Sequence, residues 1–307
     1  MIRGVHRADQ PGTHFGLLGQ EELTASYFTL TGAKLGEPPR HSLQARAAAA
    51  GAAGFTALAL APYELVNARE HEHGLESLSA IVTHHGLTVT ELEPLRGWDG
   101  DDGELGRAQE QMMYEMADTF GSRQINAIQV EAEVSLDTIA ERFAAVCDRA
   151  AAHGVTVAFE PRANSPVSSP SGAMRLLSAA GRVNSRIVLD CYHVHRGGVT
   201  LEDIAAVPTA MIASVQLNDM RAVAVGSALE DATEHRLAPG EGDIDLAAWL
   251  GGLADLGIDV PLSVEVMSRD FTEISIEQAA RRAANGAREV LSAARAASER
   301  SGSADSS

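Results

Sequence analysis

Cysteine is nearly missing from this chain. Cys147 and Cys191 are the only two among 307 residues, both in apolar settings and without CxxC spacing. Neither a disulfide framework nor a thiolate zinc knuckle is therefore expected, and both read as packing residues. Basic residues are scarce as well, 24 Lys plus Arg against 42 Asp plus Glu, a formal net charge of −18. Such a surface repels phosphate backbones and anionic headgroups, so nucleic acid and membrane surfaces are excluded as general partners. It still leaves room for a small local basic patch that holds a phosphate. No run approaches the roughly 18 apolar residues that span a bilayer, and the first residues lack the apolar core of a signal peptide. A cytoplasmic location is expected. Aromatic residues make up only 4% of the chain, which leaves little stacking surface for a glycoside hydrolase.

What is present is an alternation of short β-rich runs with longer runs of helical period, repeated eight times. The candidate strands are residues 26–32, 55–60, 87–95, 127–133, 155–162, 186–193, 213–220 and 261–268. Eight βα units close a barrel, so the fold class expected is α/β, a single (β/α)8 TIM barrel. A doubly wound open sheet is the competing arrangement, but no GxGxxG turn follows the first strand. The clearest helix has Ser135 as N-cap and Leu136, Ile139, Phe143 and Val146 on one face, and stops at Gly154. Other Ala-rich runs stop at Gly54, Gly181 and Gly257. The expected organisation is an N-terminal extension over 1–20, the barrel over 21–297 and a disordered polar tail over 298–307. Residues 221–243 form one long connection after the seventh strand, where barrel loops build the mouth of the site.

In a parallel barrel the C-terminal strand ends converge, so their polar residues share one mouth. Strands five to eight end in Glu160, Asp190, Gln216 and Glu265. Three converging carboxylates without a cation repel one another and pay a desolvation cost of several kcal/mol. A divalent metal removes that conflict, and hard oxygen donors suit Mg, Mn or Co, with Zn as the further candidate. Arg236 lies in HRLAPGEGDID, where Pro and Gly set a tight loop. It either aims a guanidinium at a carboxylate or phosphate in the mouth, or pairs on the surface with Glu234 or Glu241. Glu91 and Glu93 on the third strand, with Trp98 beyond, either wall the substrate site or fill the barrel layers. Asn218 and Asp219 either support the metal from outside its ligand shell or cap the turn after strand seven.

The segments FEPR, LDCYHVHRGG, VQLND, RLAPGEGDIDL and LSVEV resemble the xylose-isomerase-like sugar phosphate isomerase/epimerase superfamily of TIM barrels, from about Ser26 to Ala294. The resemblance implies Glu160, Asp190, Gln216 and Glu265 as metal ligands and His193 as a substrate contact. It also implies that Glu160 and Glu265 approach a carbonyl-bearing substrate from opposite faces, one taking and the other returning a proton. The implied activity is isomerisation or epimerisation of a polyhydroxylated ketone or keto-sugar. Most isomerases of the superfamily carry His at the position of Gln216, whereas bacterial 3-dehydroshikimate dehydratases carry Gln. Dehydration of a cyclic hydroxyketone, with His193 as the acid, is therefore the alternative reaction. A non-catalytic barrel with a decayed metal site is the alternative of another class. Members often pair, so a homodimer is expected. The superfamily's multi-zinc endonuclease is disfavoured by the charge of −18.

Overall fold

Eight parallel strands pair in chain order, and the first also pairs with the last, which closes the barrel. They are β1 (Leu23–Ala25), β2 (Ala57–Leu60), β3 (Thr88–Leu95), β4 (Gln124–Ile128), β5 (Thr156–Glu160), β6 (Ser185–Asp190), β7 (Ile212–Leu217) and β8 (Leu262–Val264). The computed structural model describes residues 16–19, 21–70, 74–100, 103–131 and 133–304. Among them no helix is long and apolar enough to cross a membrane. The main core lies between barrel and helices, with Phe143, Phe159, Leu92, Ile125 and Met113 fully enclosed. Inside the barrel the filling is more polar. Thr24 meets Thr90, and Gln124 donates to Asn126 and to Ser214 at 2.8 and 2.9 Å.

That polar interior explains where the expected strand boundaries move. β4 starts at Gln124, not at Ala127, because Gln124 and Asn126 face the interior layer and break the apolar pattern. The first expected strand, 26–32, is not a strand: β1 ends at Ala25 and Tyr27–Leu30 is a 3₁₀ turn. Its β-branched and aromatic composition suits a sheet, yet its polar groups are drawn elsewhere. Tyr27 N–H donates to Glu93 at 3.1 Å, and Thr29 Oγ1 donates to Val264 O at 2.7 Å while accepting from Val266 N–H at 2.9 Å.

The helix Leu136–Ala151 is capped by Ser135, whose Oγ accepts from Thr138 N–H at 3.2 Å. Its buried face starts at Ile139 and includes Phe143 and Val146, whereas Leu136 is 41% exposed in the first turn. The helix Pro170–Ala180 closes on Gly181 at φ 64°, a left-handed cap that residues with a Cβ adopt only at a cost.

Both ends depart from the polar reading. Leu17 and Leu18 are buried in a 3₁₀ turn, Gly16–Gly19, and Arg295 donates to Leu18 O. The rest of the expected extension to residue 20 lies outside the described residues. The last helix, Ile276–Ala304, continues through Ser298 into the segment read as a tail, of which 305–307 are outside the described residues. A continuous buried stripe of Ala280, Ala283, Ala287, Leu291 and Ala294 anchors it, and backbone hydrogen bonding propagates past the last packed turn.

The connection after β7 is ordered by Asp219. Its carboxylate accepts from the backbone N–H groups of Met220, Gly240 and Ile244 at 2.8, 3.1 and 3.3 Å. A Cβ on Gly242 would come within 2.2 Å of Asp219 Oδ1, so the second glycine of PGEG is required by close approach. Antiparallel bridges Asp219↔Leu237 and His235↔Ser268 hold the returning strand, with Arg236 between them. Asp219 is thus a loop clamp, the turn-capping alternative.

Candidate active site

Parallel register sets the strand ends side by side. Asp190 is opposite Gln216, Gln216 is opposite Ser263, and Ile128 is opposite Glu160. Glu160, His193, Arg236 and Glu265 line one mouth open to solvent, and Glu93 forms part of its wall. Asp190 and Gln216 lie just beneath, fully enclosed.

Arg236 is buried, not a surface arginine, and pairs with neither Glu234 nor Glu241. Its Nη1 donates to Asp190 Oδ2 at 2.8 Å and to Glu265 Oε2 at 2.7 Å, and its Nε donates to Ala232 O at 2.7 Å. The guanidinium also lies over the Tyr192 ring, 4.8 Å from its centroid. One cation thus serves two carboxylates, and they respond differently. Burial pushes Asp190 up, but Arg236, His193 and the His193 N–H bond outweigh it and hold Asp190 below its ordinary value. Burial dominates at Glu265, and the neighbouring charges of Asp190, Glu93 and Glu160 add to it, so Glu265 is raised well above the usual carboxylate range. Two carboxylates around one guanidinium are therefore shifted in opposite directions, Asp190 down and Glu265 up.

His193 caps into the same cluster. Asp190 is the N-cap of the helix Cys191–Arg196, and its Oδ1 accepts from His193 N–H at 3.1 Å. His193 Nδ1 accepts from Ala163 N–H at 3.3 Å, and its Nε2 stands 3.4 Å from both Glu160 Oε1 and Arg236 Nη2. Asn218 Nδ2 donates to Asp190 Oδ2 at 3.1 Å, so Asn218 supports the aspartate from behind.

Glu93 is the hub below the mouth. Its Oε1 accepts from Ser26 Oγ at 2.7 Å, and its Oε2 accepts from Asn126 and from Gln216 Nε2, both at 3.1 Å. Glu91 beside it is buried, with Oε2 accepting from Asn126 at 2.6 Å and Oε1 without a partner. Burial, and then the charge of Glu93, push Glu91 from its ordinary 4.5 up to about 8. A carboxyl raised on folding contributes stability that is complete below pH 4.5 and lost as pH rises towards 8. Glu91→Gln should therefore flatten the stability profile across that window and stabilise the protein above pH 8, by on the order of a few kcal/mol. Urea unfolding at pH 5 and pH 9 checks it; an unchanged difference between the two pH values would show that Glu91 does not titrate there.

Trp98 does not wall the substrate site. Its Nε1 donates to Ile128 O at 2.9 Å and its ring packs edge-on against Phe143 and Phe159, inside the core. Trp98 follows Gly97 in a bend that turns inward from the mouth, which strand spacing alone does not reveal. Conversely, the structure brings in residues that were not singled out: Ser26, Asn126, Arg96 and Arg162. Arg162 stands two positions after Glu160 in FEPR, so its motif was visible. Ser26 and Asn126 carry no local signal, because their partners arrive only when the barrel closes.

The fold, the strand-end carboxylates and the loop arginine can be set beside known proteins. The family described as "Xylose isomerase-like TIM barrel" matches residues 45–293. The chain belongs to that family. An inosose isomerase of Halalkalibacterium halodurans is 30% identical over 142 residues, 46% of this chain and 49% of that protein. An inosose isomerase of Bacillus velezensis is 24% identical over 232 residues, 72% of this chain and 82% of that protein. A 3-dehydroshikimate dehydratase of Pseudomonas aeruginosa is 26% identical over 230 residues, 72% of this chain and 35% of that protein. The chain spans about half the length of the first two inosose isomerases it matches. Among solved structures, the IOLI protein with a bound zinc atom superposes with TM-score 0.75 at 21% identity, covering 88% of this chain and 98% of that one.

The IOLI protein, which shares this fold, carries a zinc atom, which raises the question whether the residues here suit a metal. Gln216 Oε1 is buried without a hydrogen-bond partner while its Nε2 is fixed on Glu93, so the orphan is an oxygen beside Asp190. A buried, unpartnered carbonyl oxygen among carboxylates is what a hard divalent cation completes. By donor type, Glu160, Asp190, Gln216 and Glu265 fit. Among the described residues, however, no three His, Cys, Asp or Glu side chains are drawn together as a ready ligand cage. The positive charge between Asp190 and Glu265 is the guanidinium of Arg236.

Proposed function

We propose that this chain is a divalent-metal-dependent isomerase or epimerase that moves the proton next to the carbonyl of a polyhydroxylated ketone. The observation that carries the reading is one mouth bearing two glutamates, Glu160 and Glu265, with His193 and Arg236 beside them. A cation held by Glu160, Asp190, Gln216 and Glu265 would supply Lewis-acid polarisation of the substrate carbonyl. Glu160 takes the proton from the carbon next to that carbonyl, and Glu265 returns one. His193 Nε2, 3.4 Å from Glu160, orients that carboxylate or a substrate oxygen, and the buried guanidinium of Arg236 supplies positive charge near the oxygen that gains charge. Phe28, Leu35, Ile128 and Met267 make the apolar part of the mouth that limits water.

Dehydration is the second reading, favoured by Gln216 at the strand-seven position. There Glu160 again removes the proton, and His193 protonates the departing hydroxyl so that water leaves. Proton NMR in D₂O with magnesium- or zinc-loaded protein separates the two. Inososes and ketoses should lose the signal of the proton next to the carbonyl, whereas conversion of 3-dehydroshikimate to an aromatic product would select dehydration. Silence across all three substrate sets, with stoichiometric metal bound, would sink both readings.

A further inference from the structure

The connection that returns from β7 to the mouth is fastened by one buried aspartate. Asp231 lies on the short helix Ala228–Glu234 and is 3% exposed. Its Oδ1 accepts from Val225 N–H at 2.7 Å, and its Oδ2 accepts from the Tyr192 hydroxyl at 2.7 Å and stands 2.8 Å from Arg196 Nη2. Both oxygens are thus engaged, and they tie the helix Ala228–Glu234 to the helix Cys191–Arg196 that Asp190 caps. Tyr192 is equally buried, and its ring touches two groups of the mouth. The Arg236 guanidinium lies over it, 4.8 Å from its centroid, and the His193 ring meets it edge-on with centroids 5.1 Å apart.

Arg236 is a long side chain whose charged end serves the mouth only if it is held in one orientation. Three supports hold it. The Nε–H bond to Ala232 O at 2.7 Å fixes the stem, the Tyr192 ring fixes the plane of the guanidinium, and the Nη1 bonds to Asp190 and Glu265 fix the tip. Two of these three run through Asp231, because the Tyr192 hydroxyl ends on its carboxylate and Ala232 is the next residue of the helix it pins. The carboxylates alone leave the guanidinium free to pivot, since both are bonded to the same nitrogen and Nη2 has only His193 Nε2 at 3.4 Å. Charge directed at a reacting oxygen is effective only when it is held to within about 0.5 Å and 10–20°.

We propose that Asp231 and Tyr192 are positioning residues of the site: Asp231, acting through the Tyr192 ring and through Ala232, holds the Arg236 guanidinium in the mouth. The inference rests on the proposed reading in which Arg236 supplies charge to a substrate oxygen, and it concerns how that charge is held. Neither residue touches the substrate. Their effect reaches it through Arg236 and, by the edge contact of Tyr192, through the ring of His193.

The test is hydrogen exchange of the arginine Nε–H groups, read in ¹H–¹⁵N spectra of the whole chain, with the Arg236 signal identified by its loss in Arg236→Lys. Arg46 is the internal reference, a buried arginine whose Nε donates to His41 O at 3.2 Å and which has no contact with Asp231. Asp231→Ala and Tyr192→Leu should each speed exchange at Arg236 at least about tenfold and at Arg46 less than about twofold. Tyr192→Phe keeps the ring and loses the hydroxyl, so it should retain much of the protection that Tyr192→Leu loses. Should the larger deletions fail to fold, Tyr192→Phe and Asp231→Asn carry the test, with a rise of roughly threefold or more at Arg236 alone. Exchange at Arg236 unchanged in the variants, or accelerated equally at Arg46, would overturn the inference, the second because it marks a general loss of stability. On a substrate found by NMR, Asp231→Ala should lower kcat roughly 10–100-fold and change KM less, and unchanged kcat would remove the positioning role. Because exchange is read without turnover, failure of the proposed reaction leaves the result interpretable: selective acceleration at Arg236 with silent NMR keeps the hold on the guanidinium and removes only the reaction.

Discussion

Glu265→Gln should lower kcat/KM roughly 10²–10⁴-fold while leaving the fold intact. The side chain is buried and, in the balance with Asp190 around Arg236, it is the partner whose pKa burial raises. Gln keeps the shape of the side chain, and Arg236 keeps its charged partner Asp190 at 2.8 Å. The amide cannot give or take a proton at the substrate carbon, and assaying at saturating metal separates that loss from weaker binding of the cation. A carboxyl raised on folding contributes stability at low pH that disappears as pH rises through its folded pKa, so the variant should also be the more stable protein at alkaline pH. Activity within about fivefold of wild type, in steady-state assays on the substrate found by NMR, would remove Glu265 from proton transfer.

Arg236→Met should destabilise the metal-free protein by about 3–5 kcal/mol, the cost of breaking a buried ion cluster by removing one partner. Both carboxylates that Arg236 bridges lose their cation, and Asp190 keeps only the His193 N–H and the Asn218 amide. If the strand-end donors accept a divalent cation, zinc or manganese should restore most of that loss, and the metal-induced gain should exceed the gain in wild type. Urea unfolding with EDTA and with added metal reads both numbers. A variant as stable as wild type in EDTA would show that the guanidinium is not the counter-ion. A destabilised variant that metal does not rescue would show that Glu160, Asp190, Gln216 and Glu265 do not hold a cation.

The legible parts of this protein are those written in consecutive residues. The alternation of strand and helix patterns repeated eight times, and a barrel is the closure that number allows, so the architecture was readable before any coordinates. That Glu160, Asp190, Gln216 and Glu265 lie at the same end of the barrel is legible for the same reason: the first two close β5 and β6, Gln216 stands one before the end of β7, and Glu265 stands one after β8. Ser135 as a cap and Gly181 as a left-handed stop are equally local. The first strand was misplaced because SYFTLT has sheet-forming composition, yet its polar groups find partners on β3 and β8 that lie more than 60 residues away.

Chain order and composition therefore decide that this is a parallel barrel with a ring of acidic strand ends, because side-chain period and strand direction are properties of short segments. Which cation sits among those acids is decided only by closure. Arg236 reaches Asp190 and Glu265 because Asp219 and Gly242 fold the connection after β7 over the mouth, and Glu93 becomes a hub because Ser26, Asn126 and Gln216 arrive from three other strand ends. Burial and the neighbouring charges then shift carboxylates of the same chemistry in opposite directions, Asp190 down and Glu265 up. That division depends on distance and desolvation in three dimensions, neither of which is a property of neighbouring residues in the chain.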